Sequence, residues 1–207
     1  MAEDVNHAFN KSRMESLTDG LFATVMTILV LTLVVPVVTG SNQSQQLMSA
    51  ILALLPSVLV YAASFVVLLV MWIGHNGYTR YIHEVDRKFL WLNGVLLILI
   101  GLVPFSTAFL GKYPLEQPAI VLYGINFLAL AVMYLILTKS ISTRHRRFHK
   151  EDVSKPVRGL KSNYLTITTY VLSLLFSFVN PYISLALFAS MPIYFFTMAM
   201  LDPTMNK

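Results

Sequence analysis

The chain has 207 residues, of which 56% are hydrophobic and 12% charged, with a formal net charge of +5 and no cysteine. A soluble domain carries about 25% charged residues, so this composition, with a mean hydropathy of +0.67, marks an integral membrane protein. The lack of cysteine excludes disulfides, thiolate metal sites and cysteine nucleophiles together, and with charge this sparse its placement says more than its sum.

Residues 1–12 are polar and mildly acidic, and no A-x-A-like cleavage site follows the first apolar run, so the first helix is expected to stay as a signal anchor. That helix is predicted over 14–38. It has a charged head (Arg13, Glu15, Asp19), an apolar run from Leu21 to Val35, and Pro36 near its end. The uncharged stretch 39–46 reads as a loop, and its Asn42-Gln43-Ser44 fits a glycosylation sequon that has meaning only in a secretory-pathway host. Helix 2, over 47–73, is longer than the roughly 20 residues a span needs and contains Pro56, so tilt or a kink is expected. A polar segment, 75–88, leads to helix 3 over 89–110, which carries Asn93 and the sequence LVPFST at 102–107. After a turn at 111–118, helix 4 covers 119–138, and the strongly charged stretch 139–162, containing TRHRRFHKED, reads as a loop. Helix 5 covers 164–179, Asn180-Pro181 forms a tight turn, and helix 6 covers 182–201. With six spans, every Lys and Arg except Lys112 falls on one side of the membrane, and the positive-inside rule places both termini in the cytoplasm. Helix 4 lacks the charged head and Thr residues of helix 1, so residues 1–207 read as one six-helix unit rather than an inverted repeat.

Helix 1 carries a pattern of its own. At about 100° per residue, with Gly20 as zero, Thr24 falls near 40°, Thr27 near −20° and Leu31 near 20°. Phe22, Met26, Leu29 and Leu33 lie roughly opposite. Two readings fit this small, hydroxyl-bearing stripe. The Thr hydroxyls bond back to their own helix and pack on a neighbour, as is common in membrane helices. Alternatively, several copies of the helix surround an axis, so that rings of hydroxyls replace part of an ion's water shell and Leu31 forms a dewetting constriction.

Other polar residues divide in the same way. Arg13 and Asp19, six residues apart, cannot pair along one helix face; either Thr18-Asp19 caps the helix and Arg13 meets headgroups, or both belong to a polar lock at the cytoplasmic end. His75 and Asn76 follow Trp72 at that same membrane level, as interfacial anchors or as members of a network with Arg13 and Asp19. Asn93 suits an interhelical hydrogen-bond donor. His145 and His149 have the i,i+4 spacing of a metal pair, but the surrounding Arg144, Arg146, Arg147 and Lys150 repel a cation, and the 139–162 stretch reads instead as attracted to anionic lipid. There is no P-loop, no G-x-S-x-G and no T-V-G-Y-G filter sequence, and no catalytic constellation, so neither an enzyme nor a cofactor is expected.

The head of helix 1, R-x-x-x-L-T-D (Arg13, Leu17, Thr18, Asp19), resembles the R-x-x-x-F-S-D signature of the transmembrane protein 175 family of lysosomal potassium channels and their prokaryotic relatives. Trp72, His75, Asn76, Asp86, Asn93 and the L-x-P-F-x-T of Leu102 to Thr107 resemble the rest of that pattern, so the likeness covers roughly residues 13–110. The resemblance implies a homotetramer, with first helices lining a K⁺-permeable pore that has no classical selectivity loop; the expected location is the plasma membrane. It implies that Thr24, Thr27 and Leu31 face the pore, with K⁺ near Thr27, and that Arg13, Asp19, His75 and Asn76 form the supporting network at the cytoplasmic end. Leu17-Thr18 replaces Phe-Ser. Thr24 stands where the family usually has a bulky Ile or Leu at its constriction; either Leu31 takes over the gate, or the pore is leakier or differently selective, or Thr24 is an engineered change. The expected protein is thus an all-α, six-helix membrane protein acting as a potassium channel. Its rivals are an ion- or proton-coupled small-molecule transporter, which needs an ionisable residue at mid-membrane, and a non-conducting membrane scaffold.

Overall fold

The computed structural model describes residues 10–38, 43–79, 82, 85–148 and 154–201, and they are helical apart from short connections. Helix satisfies every backbone amide within its own segment, which an apolar surrounding demands. The first helix, α1 (Lys11–Leu29), starts at Asn10, whose side chain accepts from the Ser12 amide at 3.0 Å. Thr18 and Asp19 therefore lie well inside α1 and do not cap it. The helix tightens into a 3₁₀ turn at Val30–Thr32, and residues 33–38 leave helical geometry altogether. It ends short of the predicted position 38 because Pro36 has no N–H for the Thr32 carbonyl and drives Val35 out of the α region, while Val34, Val37 and Val38 are β-branched.

The next two predicted helices are each broken two residues before a proline. The first becomes α2 (Gln43–Ala53) and α3 (Leu55–Thr79), interrupted at Leu54 ahead of Pro56. Pro56 cannot serve the Leu52 carbonyl; the chain tightens, with the Leu54 amide on Ile51 at 3.1 Å, and resumes with Val58 on Leu54 at 3.0 Å. His75 and Asn76, expected at the start of a polar segment, lie inside α3. The second becomes α4 (Arg87–Gly101), capped by Asp86 accepting from Phe89 N at 2.8 Å, and α5 (Val103–Lys112), interrupted at Leu102 ahead of Pro104. Then follow α6 (Gln117–Phe148), α7 (Ser154–Phe176) and α8 (Pro181–Leu201), the last capped by Asn180 accepting from Tyr182 N at 2.9 Å. The stretch expected as a charged loop is largely helix: 139–148 continue α6 and 154–162 open α7, while 149–153 fall outside the described residues.

Among the described residues, five stretches are long and apolar enough to cross a membrane: Lys11–Thr32, Gln43–Gly77, Arg87–Lys112, Gln117–Ile141 and Pro181–Met198. Helix α7 matches them in length with 23 residues, but Asn163, Thr166, Thr168, Thr169 and Ser173 dilute its apolar face. Helices α3 and α6 form the centre. The first packs on α1, α5 and α8, the second on α4, α5 and α7. Between α6, α7 and α8 an aromatic knot is built from Tyr123 stacked on Phe127 at 4.3 Å, with Tyr170 and Phe188 edge-on to this pair. Gly124 makes it possible: a Cβ there would meet Leu174 Cδ2 at 2.5 Å and Phe188 Cζ at 2.7 Å.

Candidate functional site

Helix α1 sorts its residues by face. Met14, Thr18, Phe22, Val25 and Leu29, at the i, i+4, i+8, i+11, i+15 spacing of one helical stripe, are buried where α1 meets α3, α4 and α5. Arg13, Gly20, Thr24 and Thr27 are exposed, and Leu31 is 74% exposed. The stripe predicted from periodicity is thus an open face, and Phe22 and Leu29, both 0% exposed, lie opposite as expected. Leu31 belongs to the 3₁₀ turn, so an α-helical angle does not apply to it; its exposure shows that its own chain leaves it uncovered. Arg13 joins the open side because seven residues return it to within about 20° of Gly20. At Gly20 an added Cβ would meet nothing within 4 Å, so no contact inside this protomer requires a glycine there.

The two Thr hydroxyls on this face have defined roles. Thr24 Oγ1 donates to the Gly20 carbonyl and Thr27 Oγ1 to the Ala23 carbonyl, each at 2.8 Å. The back-bonding expected of membrane threonines is therefore present. It also orients each oxygen as an acceptor: the single hydroxyl proton is committed to the helix, and the lone pairs that remain can meet water or a cation.

The buried face is held by a polar chain. Thr18 Oγ1 donates to the Met14 carbonyl at 2.9 Å and accepts from Asn93 Nδ2 at 2.9 Å, and Asn93 Oδ1 meets His75 Nε2 at 3.0 Å. Thr18, Asn93 and His75 are 0%, 1% and 1% exposed. Beside them Trp72 Nε1 donates to Asp19 Oδ1 at 2.9 Å, and the Phe22 ring lies 6.4 Å from that of His75. One turn region of α1 is thus tied to α3 and α4 by directional bonds in a setting where an orphaned polar group is costly.

Of the four residues expected in a network, the structure brings in Asp19 and His75, through Trp72 and Asn93 respectively. Arg13 is exposed and Asn76 half-buried, and neither side chain hydrogen-bonds or ion-pairs with another described residue. Asn93 is the interhelical donor its position predicted. Thr18, expected as part of a helix cap, and Trp72, expected as an interfacial anchor, instead bond to Asn93 and Asp19; both stand in the sequence pattern quoted above, which is the signal available for them. A second buried cluster went unread: Thr107 Oγ1 donates to Ser64 Oγ at 2.9 Å, Ser64 meets the Tyr123 hydroxyl at 3.1 Å, and Asn126 Nδ2 donates to Ser106 Oγ at 3.0 Å. Among the described residues no group of three His, Asp or Glu side chains is placed to hold a metal ion; the side chains of His145 and His149 lie outside those described.

These features define a class: a polytopic helical membrane protein whose first helix is bonded to its own protomer along one face and left open, with hydroxyls, along the other. Within that class the chain belongs to the TMEM175 family. Residues 13–104 match the family described as endosomal/lysosomal potassium channel TMEM175. A potassium channel of Chamaesiphon minutus is 32% identical over 187 residues, covering 88% of this chain and 92% of that protein. One from Chryseobacterium sp. is 30% identical over 86% of this chain and 88% of its own length. The crystal structure of a lysosomal potassium-selective channel TMEM175 homolog from Chamaesiphon minutus superposes with a TM-score of 0.78 at 29% identity, over 91% of this chain and 97% of that one. A variant of the potassium channel MtTMEM175 bound to a nanobody fusion matches at a TM-score of 0.63 and 15% identity, over 95% and 96% of the chains, and speaks to the fold alone.

Proposed function

We propose that this chain is a potassium channel that conducts K⁺ passively through a homotetrameric pore lined by α1. The observation that carries the pore assignment is the division of α1 into a face bonded to α3 and α4 and a face, with Thr24 and Thr27, that its own protomer leaves uncovered. Hydroxyls on a membrane helix are costly against lipid and useful against ions. Four copies of this face around an axis give two hydroxyl rings about 4.5 Å apart along the pore. K⁺ then exchanges part of its hydration for the Thr27 oxygens, assisted by Thr24, and Leu31 forms the dry constriction beyond them. Asp19 and His75, through Trp72 and Asn93, keep α1 from rotating and so keep the rings aligned. Arg13 and Asn76 stand at the same level, where a neighbouring copy supplies their partners.

In this reading α7, lying between α6 and α8, is the sixth span, and both termini are cytoplasmic because only Lys112 among the basic residues then faces the far side. The protein sits in the plasma membrane, with the basic stretch 139–162 against anionic headgroups. The test is K⁺ flux into proteoliposomes of purified protein, with K⁺ opposed by Na⁺, alongside Leu31→Ala. Downhill K⁺ flux that rises severalfold on trimming Leu31 is expected. No change in flux on trimming removes Leu31 from the pore, and absence of flux from folded tetramers overturns the channel reading.

A further inference from the structure

Two bonds at one level of α3 hold α1. Trp72 Nε1 donates to Asp19 Oδ1, and His75 meets Asn93, which donates to Thr18. They fix α1 only as firmly as α3 itself is fixed at that level. Gly74, which lies between Trp72 and His75 in the chain, is where another helix reaches α3. A Cβ at Gly74 would collide with Tyr134 Oη of α6 and stand 3.2 Å from Tyr134 Cζ, so the end of the Tyr134 ring occupies the place that a side chain at 74 would take. Gly77, the other glycine of α3, has no such neighbour: a Cβ there would meet nothing within 4 Å.

The direction of this contact matters for α1. At about 100° per residue, Gly74 lies about 160° round α3 from Trp72 and about 100° from His75, so Tyr134 bears on α3 from the side away from Asp19. Tyr134 has a firm seat: its neighbours Met133, Leu135 and Leu137 are buried, and α6 packs on α4, α5 and α7. A glycine lets the ring end approach the α3 backbone this closely, and in a close-packed interior a larger residue fits only if one of the two helices or the ring moves. We propose that Tyr134, seated in the notch left by Gly74, is a positioning residue for the pore. It backs α3 where Trp72 and His75 reach toward α1, sets the Trp72–Asp19 and His75–Asn93–Thr18 bonds, and through them fixes which face of α1 the ions meet. Tyr134 acts on the ions only through α1. This inference rests on the reading of α1 as the pore lining.

The chain has two tryptophans, Trp72 and Trp91, and Trp91 is 72% exposed. Trp91→Phe therefore leaves Trp72 as the sole indole reporter of the junction between α3 and α1, one that needs no conduction. In that background Gly74→Ala is compared with Gly74→Ala plus Tyr134→Phe, in which the hydroxyl that the methyl would strike is gone, and with Tyr134→Leu, which removes the ring end without adding bulk to α3. Each is reconstituted from protein of parental elution volume and read by Trp72 emission and by reversal potential in mixed K⁺/Na⁺. Gly74→Ala is expected to shift the Trp72 emission maximum and to lower K⁺ preference over Na⁺ severalfold. Adding Tyr134→Phe restores both, and Tyr134→Leu reproduces the loss. Parental emission and reversal potential in Gly74→Ala overturn the proposal. So does a loss that Tyr134→Phe does not relieve, because the methyl then acts elsewhere, and so does a Trp72 shift with an unchanged reversal potential, which makes the contact packing alone. If Gly74→Ala does not fold, Tyr134→Leu decides by itself, and parental values in both readouts overturn the proposal. A parent that passes no K⁺ as folded tetramers removes the pore reading and the pore role of Tyr134 with it; the Trp72 shift and its rescue are still seen in that case, so the two failures are told apart.

Discussion

At the level of single residues, the open face of α1 turns on the direction of two protons. Because Thr24 and Thr27 donate to carbonyls one turn back, their oxygens offer lone pairs outward without reorientation, and removing one hydroxyl takes away a ligand while leaving the helix intact. Thr27→Ala is therefore expected to lower K⁺ preference over Na⁺ several-fold while changing K⁺ conductance less; Thr27→Ser keeps most of the preference. Reversal potentials in mixed K⁺/Na⁺ read this directly, and unchanged values would remove Thr27 from the ion path. The buried side gives an independent expectation. Asn93 serves Thr18 and His75 at once, so Asn93→Ala takes a hydrogen bond from each of two buried side chains and should cost about 1–3 kcal/mol, seen as a lower thermal midpoint in detergent. A midpoint equal to the parent's would mean that this chain of bonds adds nothing to the hold on α1. The stripe was legible because a repeat along one helix survives without knowledge of neighbours. The roles of Thr18 and Trp72 were not, because each finds its partner on another helix, Asn93 and Asp19 respectively, far away in the chain, and no local pattern encodes that approach.

At the level of elements, proline explains where the expected helices and the observed ones part. Pro36, Pro56 and Pro104 each withhold a donor and crowd the preceding turn, and the chain leaves helix at Leu33, Leu54 and Leu102. A kink near Pro56 was readable; that Pro36 would instead release six residues from the helix was not, since the neighbouring valines look as suitable for a buried span as for an extended segment. The charged stretch 139–162 departs in the other direction: its polarity suggests a loop, yet Lys and Arg are good helix formers, and 139–148 and 154–162 are helix. Packing between elements is tested most sharply at Gly124. A methyl there lands on the ends of Leu174 and Phe188, flexible groups held in the aromatic knot, so Gly124→Ala should cost about 1–3 kcal/mol as overpacking and Gly20→Ala, into open space within the protomer, should cost far less in the isolated chain. Thermal midpoints of the two variants provide the comparison. Equal losses would place a close contact at Gly20 that a single copy does not contain.

At the level of the whole molecule, the channel reading makes α1 a helix with three environments: protein along Phe22 and Leu29, the pore along Thr24 and Thr27, and neighbouring copies or lipid between. A scaffold reading leaves only protein and lipid, and a transporter reading asks for an ionisable group at mid-membrane, where α1 offers hydroxyls; of its two acidic side chains, Asp19 is bonded to Trp72 and Glu15 is paired with Lys11. The environments are separable by chemistry, because a thiol reacts with a charged reagent only where water reaches it and ionises it. In the cysteine-free chain, Thr24→Cys and Thr27→Cys are expected to react with a small cationic methanethiosulfonate and to lose K⁺ flux as they do so, whereas Val25→Cys, on the buried face, stays unmodified and conducting. Ile28, 44% exposed but about 100° round from Thr27, is the discriminating position. If Ile28→Cys is inert while Thr27→Cys is blocked, water follows the hydroxyl face and the pore lies along it. If both react equally, α1 stands in a broad aqueous cleft, and the narrow hydroxyl rings, with the selectivity assigned to them, do not form.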